Sequence, residues 1–233
     1  MKTDYSAEEW KDLLTGESLL LAVLGKLLYS APNRDWLEEL IHSGIFAEAP
    51  FGGSQPLVQR GFEMMQAWCE QNRQNLTDDH YADLQEDYLR LFIGLDKVLA
   101  PVWESVYFNE EHLVFQEQTY QVRVWYRRFG AEIENFRKEP DDHIGLELIF
   151  VAFLAQRALE NLQRKDEQAF EEDLRAQRNF LDEHLLRFAP NWFDLVEQHA
   201  ATDFYRALGH LIWGSLQEVD EMLHNYASEG AAV

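Results

Sequence analysis

Three acids and a histidine, Glu139, Asp141, Asp142 and His143, fall within five positions, directly ahead of a run (146–153) that is apolar on almost every side. Carboxylates this dense could receive a guanidinium through paired, charge-assisted hydrogen bonds. His143 and Glu147 stand at i,i+4 and share a helix face, so Asp142, His143 and Glu147 could also be the working groups of a helical metal-dependent hydrolase. Two ligands on one helix do not define a zinc site, which favours a structural role over metal. The plainest alternative is that the acids only cap and charge a helix start.

Other candidate chemistry is weaker. Glu39 with His42 and Glu221 with His224 have the Glu-x-x-His spacing of di-iron bundles, but one pair ends a short helix and the other lies in a polar tail. Gly25-Lys26 lacks the rest of a phosphate loop, and no Gly-x-Ser-x-Gly elbow occurs. Cys69 sits in an apolar-periodic helix beside Trp68, a poor setting for a nucleophile. Asn75-Leu76-Thr77 matches a glycosylation acceptor that a cytoplasmic chain would not use. The stretch 95–109 has no helical period yet holds Pro101, Trp103, Ser105, Tyr107 and Phe108, an aromatic density unusual for a solvated linker.

The elements that must position these groups are helices. Apolar spacing predicts them at 7–29, 35–42 and 56–72, then at 78–92 closed by Gly94 and at 118–129 closed by Gly130. Pro140 suits a first helical position, with Asp141 and Asp142 in the first turn of a helix reaching about Arg164. Further helices are expected at 166–188, from Pro190-Asn191 through Val196, and at 204–226 behind Thr202-Asp203. No strand pattern or regular repeat appears; Asp-Asp-His occurs at 78–80 and 141–143, which shared capping chemistry accounts for. The expected fold is an all-α globule of two helical halves, 1–130 with the aromatic loop and 139–233, joined by a charged hinge at 131–138.

Composition narrows the partners. With 233 residues and 46% hydrophobic side chains the chain can build a large core. A formal charge of -22 disfavours nucleic acid and anionic membrane, and would attract a basic partner. Lone Cys69 excludes an intrachain disulfide. Acids at Asp4, Glu8, Glu9 and Asp12 stand where an export signal carries basic residues, so a cytoplasmic location without membrane insertion is expected.

Four separated blocks carry a resemblance: Tyr88-Leu-Arg-Leu-Phe-Ile-Gly94, Pro101-Val-Trp-Glu-Ser-Val-Tyr107, Glu139-Pro-Asp-Asp-His143 and Phe204-Tyr-Arg-Ala-Leu-Gly209. In order and approximate spacing the chain resembles the TorD/DmsD-type cytoplasmic chaperones of twin-arginine-exported molybdoenzymes. The resemblance implies an all-α, non-enzymatic protein with no cofactor of its own. It would bind the signal peptide of a molybdoenzyme catalytic subunit in anaerobic respiration, delay export until cofactor insertion, and meet the export or insertion machinery. Carried over by position, the peptide-binding residues are Tyr88, Leu91, Phe92, Trp103, Ser105, Tyr107, Glu139, Asp142 and His143. Leu95 and Val102 stand where the family often has proline, and Asp96 where a close relative has an aromatic. A twin-arginine signal, two guanidiniums followed by an apolar segment, asks for carboxylates beside apolar surface, and Glu139, Asp141 and Asp142 with Leu91, Phe92, Trp103 and Tyr107 offer both. The competing expectation within this class is an assembly factor that grips the mature part of its client. A charged hinge also suggests a monomer with a minor domain-swapped dimer.

Overall fold

The computed structural model describes residues 5–94, 97–131 and 140–230, without the side chains of 227–230. Its helices are α1 (Ala7–Tyr29), α2 (Arg34–Ser43), α3 (Pro56–Asn72), α4 (Asp78–Tyr88), α5 (Glu117–Phe129), α6 (Ile144–Arg164), α7 (Glu167–Phe180), α8 (Leu186–His199) and α9 (Asp203–Gly230). Helix starts follow local chemistry. At α1, Ser6 Oγ accepts from the Glu9 N–H while the Glu9 carboxylate accepts from the Ser6 N–H, satisfying two donors that have no partner within the helix. The helical reading thus holds, and the single extended pairing among the described residues is an isolated antiparallel bridge between Trp103 and His143. No described helix is long and apolar enough to cross a membrane.

Two long pairings organise the molecule, α1 along α6 and α3 along α9, with α7 beside α6 and α8 on α9. Glycines set the first crossing: a Cβ at Gly25 would lie 2.5 Å from Gly145 O, and one at Gly145 would lie 2.7 Å from Gly25 O. Only hydrogen at both positions lets the backbones meet so closely. The crossing brings the start of α6 against the end of α1. One apolar core draws on Leu21 and Leu24, Phe62 and Met65, Leu148 and Val151, and Leu211 and Leu216. Each such side chain, fully buried, contributes about 1.5 to 3 kcal/mol. Residues on both sides of the 132–139 connection share this core, while the connection, and with it the expected hinge apart from Ala131, lies outside the described residues.

Two helix boundaries differ from expectation. Helix α6 begins at Ile144 with His143 as its N-cap, so Pro140 is not its first residue and Asp141 and Asp142 precede its first turn. Tertiary pairing decides this, because the Ile144 N–H donates to Val102 O and the Glu104 N–H to Asp142 O, holding the chain extended before the helix. Pro190 opens no helix; it lies inside α8, which follows directly on a π-helical turn, Leu181–Leu185, after α7. Proline removes one helical hydrogen bond. Burial of Phe188, Ala189, Trp192 and Val196 on one face outweighs that loss. The expected run to Phe92 is α4 continued by a second π-helical turn, Leu89–Ile93, and Gly94 ends it at φ +65°.

Candidate functional site

The aromatic loop is anchored at three levels. Below, the Ala100 N–H donates to Leu91 O at 2.8 Å, fixing the loop on the π-helical turn after α4. In the middle, residues 102–104 pair with 142–144 across the Trp103–His143 bridge. Above, the 3-10 turn Glu104–Tyr107 turns its first two side chains inward, leaving Trp103 and Tyr107 half-buried at the surface.

Asp142 joins three elements. Its Oδ2 accepts from the Ser105 N–H at 2.8 Å and its Oδ1 from the Thr119 hydroxyl at 2.6 Å, tying loop, α5 and the approach to α6. The side chain is wholly buried, and hydrogen bonds to a charged group contribute about 1.5 to 3 kcal/mol each. Neighbouring Asp141, equally buried, pairs with Arg123 of α5, and its carbonyl accepts from the Tyr126 hydroxyl. His143 Nδ1 accepts from the Gly145 N–H at 2.9 Å, which requires an unprotonated Nδ1. Burial pushes this histidine down to about 3, and its ring meets Tyr29 and Trp103 edge-on.

A second buried polar group lies under the loop. Glu104 Oε2 stands 2.8 Å from His184 Nδ1, both side chains being fully enclosed, and His184 belongs to the π-helical turn that leads into α8. Burial raises Glu104, opposed by His184 and Arg187 and reinforced by Asp142. Glu147 of α6 is buried with both carboxyl oxygens unpartnered; burial, then the charges of Glu104 and Asp142, push it well above the carboxylate range. Among the described residues no three histidine, cysteine or carboxylate side chains gather to hold a metal ion.

Between the loop and α8 runs a groove of about 800 Å³, within the usual span of ligand sites. Pro101, Trp103 and Tyr107 form one wall; Asn191, Asp194 and Leu195 of α8 form the other, with Val114 and His112 also lining it. The Tyr107 hydroxyl donates to Pro101 O at 2.7 Å and the ring rests on Phe188, so this wall is preformed. Asp194 is exposed, an available carboxylate beside aromatic and aliphatic surface.

The structure therefore sorts the nine residues singled out in sequence. Trp103 and Tyr107 line the groove. Leu91, Phe92, Ser105, Asp142, His143 and Tyr88 lie beneath it or in the core; Phe92 stacks on Trp192 of α8 and meets Tyr205 edge-on. Glu139 lies outside the described residues. The α8 wall was missed: Asp194 and Leu195 carry no local motif, although the helix that holds them was expected, starting at Pro190 rather than at Leu186. The Glu104–His184 contact, spanning 80 positions, leaves no trace in spacing.

The described helices thus carry a preformed aromatic groove with one exposed carboxylate on its rim. The chain belongs to the nitrate reductase delta subunit family, whose model matches residues 56–194, more than half of its length. It is 33% identical over 128 residues to the Tat proofreading chaperone DmsD of Salmonella typhi, 55% of this chain and 56% of that protein. With the probable Tat proofreading chaperone DmsD of Haemophilus influenzae it shares 30% over 142 residues, 61% and 63% of the two chains. With the chaperone protein TorD of Aliivibrio salmonicida it shares 28% over 141 residues, 60% and 64%. The alignments span less than two thirds of these relatives' length.

Proposed function

We propose that the protein is a non-enzymatic maturation chaperone that binds the twin-arginine signal peptide of a molybdoenzyme precursor in the cytoplasm and delays export until the cofactor is inserted. Family membership and the names of its relatives support the class. The observation that carries the reading is the groove itself, with Trp103, Tyr107 and Leu195 facing one another and Asp194 on the rim. The apolar segment of the signal lies in the groove, and its arginine pair meets Asp194 and, as a further candidate, Glu139, since Asp141 and Asp142 already have partners inside the protein. Tyr88, Leu91, Phe92, Ser105, Asp142 and His143 serve binding from beneath by holding the wall. The -22 charge steers the basic peptide inward from long range. Size exclusion should show a monomer with a minor swapped dimer.

Calorimetric titration with a synthetic twin-arginine signal peptide tests this. Replacing both arginines by alanine should weaken binding tenfold or more, as should replacing the apolar segment by serines. No binding, or equal affinity for all three peptides, overturns the reading; tighter binding of fragments from the mature client would transfer it to an assembly factor.

A further inference from the structure

The two walls of the groove belong to distant parts of the chain, the loop 97–107 and α8, and each is rooted in the core by a polar side chain adjoining the wall. Glu104 follows Trp103 and points the opposite way; His184 precedes α8, whose Asn191, Asp194 and Leu195 face the loop. Their contact, Nδ1 to Oε2 at 2.8 Å, lies wholly inside the protein. Other links between the walls are ring contacts, Tyr107 on Phe188 and Arg187 over Phe108. Ring contacts tolerate sliding, whereas a buried hydrogen bond has a narrow range of length and angle.

We infer that the Glu104–His184 contact is the positioning device of the groove, setting the distance between its walls, and that Glu104 and His184 are positioning residues for the peptide proposed above. Neither touches the ligand; both act through Trp103, Tyr107 and α8. The inference rests on the proposed function for its consequence in binding, but the joint between the walls can be read without any peptide.

The surroundings give the joint a direction of response to pH. Glu104 faces His184 from the π-helical turn, Asp142 from the approach to α6, Glu147 from α6, Tyr126 from α5 and Arg187 from α8. Glu104 Oε1, His184 Nε2 and both Glu147 oxygens find no hydrogen-bond partner, so the offset to added negative charge on Glu104 falls to His184 itself and Arg187. Ionising Glu104, which burial opposes, places one more negative charge inside the protein beside Asp142. The joint therefore loosens as pH rises, in keeping with the upward displacement of Glu104 and Glu147.

Hydrogen exchange of the amides at 103–107, expressed as protection factors between pH 5.5 and 8.5, tests this on the free, full-length protein, and signal-peptide titrations on the same samples follow. Wild type should lose protection in this segment as pH rises. Glu104→Gln keeps a hydrogen-bonding partner for Nδ1 but cannot ionise, so the slope should vanish. His184→Phe keeps the ring against Phe180 yet breaks the contact; protection should fall at least tenfold at every pH, and affinity about tenfold with it. Unchanged protection in His184→Phe, or a Glu104→Gln slope equal to that of wild type, overturns the inference. Should His184→Phe fail to fold, the Glu104→Gln slope decides alone. Protection that responds as expected while no variant binds peptide would sink the proposed function and leave the joint standing.

Discussion

The stretch 141–147 and the rim of the groove both carry acid beside aromatic rings, yet they sit in opposite environments. Asp141, Asp142 and Glu147 are enclosed, the two aspartates tied to Arg123, Ser105 and Thr119 and the glutamate unpartnered. Asp194 lies exposed across from Trp103 and Tyr107. Residue type is the same; access to solvent differs. Enclosed acids shape the wall, whereas the exposed one is free to meet a cation.

The widest separation between the two regions should come from Asp142→Ala. Losing an acceptor for two buried donors should cost about 3 kcal/mol or more, lowering the melting temperature by roughly 6 to 12 °C in differential scanning calorimetry. A melting temperature within 2 °C of wild type would show that the acid is not structural. Trp103→Ala reverses the pattern. Peptide affinity should fall tenfold to a hundredfold by calorimetry, about 1.4 to 2.8 kcal/mol, with little change in melting.

Acidity offers a third contrast, read in urea melts across pH. His143 is depressed to about 3 in the fold against 6.5 when exposed, so between those values the unfolded chain binds more protons and stability falls as pH falls, by about 1.4 kcal/mol per unit. Glu147 is displaced the other way: the fold holds its proton longer, and stability falls as pH rises above about 4.5. Glu147→Gln should therefore be more stable than wild type at pH 8 and little different at pH 4.5; the opposite ordering would mean Glu147 is ionised in the fold. The smallest effect belongs to the rim, where Asp194→Asn should weaken twin-arginine peptide about fivefold, lessen the salt dependence of association and leave stability unchanged. Equal affinity at low salt would remove Asp194 from the arginine site.

Much of the architecture was legible because helix boundaries are local events. Ser6 with Glu9, Pro56 at the head of α3, Gly130 in a left-handed cap and Gly94 at positive φ but extended ψ act over three or four residues, and the chain follows them. Local signals failed where distant backbone intervened. Pro140 and the two aspartates read as a helix start, but pairing of 142–144 with 102–104 holds them extended and passes the cap to His143. Pro190 read as a helix start, but the burial of four neighbours carries α8 through it.

By itself the sequence determined the all-helical class, the acidic field and the residue types present at the site, since periodicity, charge and capping need no partner beyond the next turn. Which of those residues touch solvent, and which face one another, was decided by the tertiary structure alone. The close crossing of Gly25 and Gly145, the bridge from Trp103 to His143 and the approach of α8 to the loop depend on shape and burial across 40 to 120 positions. Those contacts enclosed Asp142 and left Asp194 exposed, a distinction that two identical side chains cannot carry in their spelling.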